Sequence, residues 1–89
     1  MSLERRFQCP CCDHFTLGER RSFEVCPICA WEDDGQDLDE LDLVSTPNHI
    51  TLPQGRSNFQ SFGASDQSAL GLVARPEERD GVRRELRTI

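Results

Sequence analysis

Apolar and polar residues alternate over two short stretches, Phe15-Thr16-Leu17 and Phe23-Glu24-Val25. Alternation with a period of two predicts strands, and the polar run Gly18–Ser22 between them predicts the hairpin loop that joins them. Further along the period lengthens: Leu52, Phe59 and Phe62 recur at helical spacing between Thr51 and Gly63. Thr51 as N-cap, Pro53 in the first turn, Gln54 completing a capping box and Gly63 as terminator predict a helix over 51–62 that lays Phe59 and Phe62 into a core. Gly55 falls inside it, where glycine is about 1 kcal/mol less favourable than alanine, which predicts a close approach at that turn. Residues 64–67 read as a linker and 68–74 as an apolar stretch. Pro76 can open a short helix over 76–87, which Gly81 weakens. No internal repeat is visible along the chain.

A chain of 89 residues with 36% apolar positions has one small and thin core, because a domain of this size buries only about 60% of its unfolded surface. Such a core needs a staple. The cysteines supply the candidate. All five fall between positions 9 and 29, as Cys9-Pro10-Cys11-Cys12 and Cys26-Pro27-Ile28-Cys29. Two C-x-x-C pairs joined by a hairpin-sized spacer match a tetrahedral thiolate site for one structural Zn²⁺, with Cys9, Cys12, Cys26 and Cys29 as ligands. Iron, a disulfide pair and a redox thiol remain alternatives for the same residues. Pro10 and Pro27 each fix one φ in a tight knuckle. Binding zinc at such a site is worth on the order of 10–16 kcal/mol in small peptides, as much as the whole stability of a typical domain. Cys11 falls outside the two-residue spacing and is read first as a packed structural residue, and, if exposed, as the candidate redox thiol. His14, two residues past Cys12, and His49 are read as residues outside the metal set, and Trp31 as packing over the knuckle.

Charge changes the picture only in the middle. The net charge is −6, every one of the ten cations is Arg, and Glu32, Asp33, Asp34, Asp37, Asp39, Glu40 and Asp42 form an acidic block with no base among them. Gly35 stands too early for a calcium-binding EF-hand loop. Like charges packed this closely repel one another, so the block is the candidate partner-binding surface, facing a basic partner; otherwise it is a solvated loop held down by Leu38, Leu41, Leu43 and Val44. No apolar stretch near position 1 could serve as a signal core, and no run spans a membrane, so a cytoplasmic, reducing location is expected. Nothing assembles a hydrolase or a phosphate-binding loop, so no enzymatic activity is expected.

Taken together, Cys9-Pro-Cys-Cys12, Cys26-Pro-Ile-Cys29-Ala-Trp-Glu-Asp-Asp34 and Asn58-Phe59-x-x-Phe62-Gly63-Ala64 make residues 7–64 resemble the bacterial cysteine-rich CPCC family. The resemblance implies a small zinc-ribbon-like protein without an agreed activity. Asp13 stands where that family's pattern usually has Gly, and Gly55 where it more often has Ala.

The expected fold is a small metal-stapled α+β unit. A zinc-ribbon-like hairpin with two C-x-x-C knuckles is followed by one or two short helices, with residues 1–64 as the domain and 65–89 as a C-terminal extension. The expected function is that of a protein-interaction module. Its sharper form is an immunity or inhibitor protein that presents the acidic face to a basic, nucleic-acid-binding partner such as a bacterial toxin. The alternatives are a nucleic-acid-binding ribbon using Arg20 and Arg21 with Arg5 and Arg6, and a thiol-disulfide oxidoreductase using Cys26 and Cys29.

Overall fold

In the computed structural model, residues 6–88 are described. The elements in chain order are β1 Phe7–Gln8, β2 Phe15–Leu17, α1 Leu52–Phe62, a 3₁₀ helix Gln67–Leu72 and α2 Pro76–Arg79. β1 and β2 pair antiparallel, Phe7 opposite Leu17 and Gln8 opposite Phe15, with Thr16 as the extra residue of a bulge. The loop they enclose is the first C-x-x-C segment.

This pairing differs from the hairpin expected between 15–17 and 23–25. Phe23 adopts φ 58° and Arg21 φ 64°, left-handed conformations that no strand accommodates. Residues 23–25 instead run antiparallel to 32–33: the Phe23 N–H donates to the Asp33 carbonyl at 2.9 Å, the Asp33 N–H to the Glu24 carbonyl at 3.0 Å, and Val25 bridges Glu32. Each C-x-x-C segment therefore caps its own small hairpin. The shorter loop wins because each knuckle already turns its two flanks toward each other, so closing them orders fewer residues.

Helix α1 begins and ends where its sequence predicts. The Thr51 hydroxyl accepts the Gln54 N–H, and Gly63, at φ 89°, donates its N–H to the Phe59 carbonyl. The capping box is one-sided, because the Gln54 side chain donates to Asn58 Oδ1 at 2.8 Å instead of turning back to Thr51. Leu52, Gly55, Arg56 and Phe59 form the buried face of the helix. They close a core made of the cysteines, Leu17, Ile28 and Trp31. Gly55 meets the Trp31 ring.

Helix α2 stops at Arg79, whereas the sequence suggested a helix to 87. Past Gly81 the chain is extended and lies against the first knuckle: the Phe15 N–H donates to the Arg83 carbonyl at 2.9 Å, the Glu85 N–H to the Asp13 carbonyl at 3.3 Å, and His14 bridges Arg84. Open backbone groups on residues 13–15 reward this extended path more than a Gly-interrupted helix would. Residues 65–74 buttress the second knuckle, with the Ser65 N–H on the Cys29 carbonyl at 2.8 Å and the Ala74 N–H on the Pro27 carbonyl at 2.9 Å. Among the described residues no helix is long and apolar enough to cross a membrane.

Candidate metal centre

The two knuckles have the same construction. In the first, the Cys9 N–H donates to the His14 carbonyl at 2.8 Å and the Asp13 N–H to the Cys9 carbonyl at 2.9 Å; in the second, the Cys26 N–H donates to the Trp31 carbonyl at 2.9 Å and the Ala30 N–H to the Cys26 carbonyl at 2.8 Å. The fifth residue of each is left-handed, Asp13 at φ 67° and Ala30 at φ 70°. This turn aims both sulfurs of a pair inward.

The Sγ atoms of Cys9, Cys12, Cys26 and Cys29 all lie within 4.8 Å of one another and all four residues are buried. Cys9 and Cys29 are 3.6 Å apart at sulfur, Cys12 and Cys26 3.8 Å. Four sulfurs bound at about 2.3 Å to one tetrahedral ion would sit about 3.8 Å from each other, a spacing these two pairs already have, so the cluster suits a thiophilic cation. The same separations are far too long for disulfides, and all five cysteines are free.

Four buried sulfurs cannot all carry charge unaided. Burial pushes the Cys9 and Cys29 thiols far above their ordinary value. Cys12 is raised chiefly by its hydrogen bond to Cys26. Cys26 goes the other way, held far below the usual thiol range by hydrogen bonds from Cys12, then Cys29 and Cys9, and finally Thr16, whose hydroxyl is 3.1 Å from its sulfur. A cation must displace the protons the other three retain, so binding strengthens as pH rises. The Trp31 N–H points at Cys29 Sγ from 3.4 Å and supports the thiolate form.

Cys11, the candidate redox thiol, is buried beneath α1 at Gly55. His14 is also buried, its ring edge-on to Phe59 at 6.0 Å and its Nδ1 without a hydrogen-bond partner. Burial, then the neighbouring Arg84, lowers its pKa. His49 is exposed in a separate turn.

The acidic block is divided by the fold. Asp33 is wholly buried, and Glu32, Asp34 and Asp37 are half-buried in hydrogen-bonded positions. Asp39, Glu40 and Asp42 are exposed. Leu38 packs on the core, while Leu43 and Val44 are exposed rather than holding the loop down. Arg20 is drawn in as well, 2.9 Å from both Asp33 and Asp37 and donating to the Gln36 carbonyl. Arg5 lies outside the described residues.

Sequence reasoning missed the continuation of this chain of charges. Arg87 joins Asp37 at 3.1 Å to Asp13 at 3.0 Å, and Arg56 grips Asp13 with both terminal nitrogens at 2.8 and 2.9 Å. The alternating series Arg56, Asp13, Arg87, Asp37, Arg20, Asp33 thus ties α1, both knuckles and residue 87 together. Burial alone would raise the Asp13 carboxyl, but Arg56, then Arg87, outweighs it and holds the group below its usual range. Asp37 is likewise lowered against its burial by Arg20, the Leu38 N–H and Arg87. One signal was present: Arg56 stands four residues after Leu52 and three before Phe59, on the helix face read as apolar.

A family model described as cysteine-rich CPCC matches residues 7–80, extending past α1 into the segment that supports the second knuckle. No curated protein and no solved structure matches the chain.

Proposed function

The chain belongs to the cysteine-rich CPCC family, and on that footing we propose that it is a structural-zinc protein that works by binding a protein partner rather than by catalysis. The observation that carries the metal part is the buried four-sulfur cluster at tetrahedral spacing. Zinc suits an all-thiolate, closed site with no position left for a substrate. Native mass spectrometry beside a denatured run, on protein purified without chelator, tests it. One zinc with four thiols shielded from alkylation is expected; a metal-free protein carrying a disulfide would overturn it.

The interaction part rests on Asp39, Glu40 and Asp42, which are exposed and have no ion-pair partner among the described residues, beside the exposed Leu43 and Val44. A short acidic and apolar ridge of this kind suits a basic protein surface, as an immunity or inhibitor protein would require. Reversing these three charges should abolish salt-sensitive capture of a basic partner in a pull-down; unchanged capture would remove the reading. The nucleic-acid alternative is less favoured because Arg20 is committed to Asp33 and Asp37. The oxidoreductase alternative is less favoured because all five thiols are buried.

A further inference from the structure

Residues 45–50 repeat the geometry of the two cysteine knuckles with none of their residues. The Ser45 N–H donates to the Ile50 carbonyl at 2.8 Å and the His49 N–H to the Ser45 carbonyl at 2.7 Å, the same two bonds that close 9–14 and 26–31. The fifth residue is again left-handed, His49 at φ 65°. The flanks pair in the same register: Val44 bridges Thr51 as Val25 bridges Glu32 and Gln8 opposes Phe15. Left-handed non-glycine residues are uncommon, so their recurrence at one position of three turns is a shared design and not a coincidence of loops.

In this frame Ser45 and Asn48 occupy the first and fourth positions, those that Cys9 and Cys12, or Cys26 and Cys29, hold in the other two. Their side chains converge as the sulfurs do, Asn48 Nδ2 donating to Ser45 Oγ at 2.8 Å. Ser45, wholly buried, donates its hydroxyl hydrogen bond to Asp34 Oδ2 at 3.0 Å. Asn48 also clamps the exit of the second knuckle, accepting the Glu32 N–H at 2.9 Å and donating to the Glu32 carbonyl at 2.8 Å.

We infer that residues 45–50 are a third knuckle of the same backbone design, in which the hydrogen-bonded triad Asp34, Ser45 and Asn48 closes the turn that a cation would close in the other two. An amide donor occupies the place between the two ligand positions, so the natural chain takes one ion rather than two. The knuckle is fastened to the second one by the Asn48–Glu32 hydrogen bonds, with Ile50 packed against the shared core. It therefore anchors the acid-rich segment by a contact that belongs to no metal ligand.

The test is the double variant Ser45→Cys/Asn48→Cys of the full chain, titrated with Co²⁺ under reducing conditions. Two equivalents are expected, the second adding thiolate-to-cobalt absorption beyond the wild-type spectrum, with the Asp34 carboxylate available as a third donor. A folded double variant that takes one equivalent overturns the assignment. Where that variant fails to fold, Asn48→Ala decides. Its zinc stoichiometry should stay at one with four thiols shielded, while amide exchange at His49 and Glu32 accelerates at least about tenfold. Exchange at wild-type rates overturns the proposal. Because the wild-type zinc content is measured separately, failure of the third knuckle is distinguishable from failure of the metal centre.

Discussion

Replacing Gly55 by alanine sets two effects of opposite sign against each other. In an exposed helix interior the change stabilises by about 1 kcal/mol, since glycine forfeits more backbone freedom on folding. Here an added Cβ would lie 2.9 and 3.1 Å from Cζ3 and Cε3 of Trp31 and 3.4 Å from Cys11 Sγ. The indole cannot step aside cheaply. It is fully buried, and its backbone is fixed on both sides, the N–H toward Cys29 Sγ and the carbonyl by the Cys26 N–H. Overpacking of a filled core costs about 1–3 kcal/mol, so the net expectation is a loss of about 1 kcal/mol. In a domain of this size that lowers Tm by roughly 4–8 °C. Gly71 is the matched control: nothing lies within 4 Å of its added Cβ, so Gly71→Ala should be neutral or stabilising by up to about 1 kcal/mol. Thermal unfolding followed by circular dichroism at fixed, saturating zinc compares the two. A Gly55→Ala protein as stable as wild type, or more so, would refute the packing argument, and the contact between α1 and Trp31 would have to be looser than described.

Asp13→Asn removes the buried charge that Arg56 and Arg87 share and should destabilise by about 3–5 kcal/mol in urea, because the buried Arg56 loses its counter-ion while Arg87 keeps only Asp37; removing the exposed Glu77 partner of Arg75 should change nothing measurable. Since Asp13 and Asp37 have depressed folded-state pKa values, their contribution is complete above the unfolded value of about 3.9 and is lost as pH falls through the folded values. Unfolding curves at saturating metal should therefore steepen in their acid dependence below about pH 4, and less so in Asp13→Asn. Zinc uptake by the reduced protein should release protons and tighten as pH rises, because burial and mutual hydrogen bonding hold most of the four thiols protonated; an affinity that does not change between about pH 6 and about pH 8 in competition with a chelating dye would contradict the electrostatics of the cluster. Cys11→Ala should retain one zinc, whereas Ser at position 9, 12, 26 or 29 should lower affinity at least about 100-fold by competition with a chelating dye.

Much of this arrangement is written locally in the chain. The C-x-x-C spacing places four sulfurs at two turns, and Thr51, Pro53 and Gly63 delimit α1, because both depend on residues a few positions apart. The strand partner of Phe15–Leu17 was not legible. Alternation in 15–17 and 23–25 is satisfied equally by one long hairpin or by two short ones, and the choice is made by backbone bonds inside each knuckle that leave no residue signature. The role of Asp13 was hidden for a different reason. A charged residue beside a cysteine reads as solvated until its partners, 43 and 74 positions away, are known. The same distance hid the extended path of residues 83–87, which local propensity assigned to a helix. The third knuckle escaped notice because Ser45-Thr-Pro-Asn-His-Ile50 shares its backbone, and no side chain at the ligand positions, with the other two.

The contacts made by residues 84 and 87 also make the first knuckle depend on a distant segment. Arg84 holds the Cys12 carbonyl at 2.9 Å, and the Arg87 backbone N–H reaches Asp13 at 2.8 Å from 74 positions away. These clasps join the first knuckle to a segment that supplies no ligand. Opening of that segment would loosen the turn that carries Cys9 and Cys12 and leave its sulfurs less firmly placed. The grip of the four-sulfur cluster on a cation would therefore weaken with fraying that begins far along the chain, away from any cysteine.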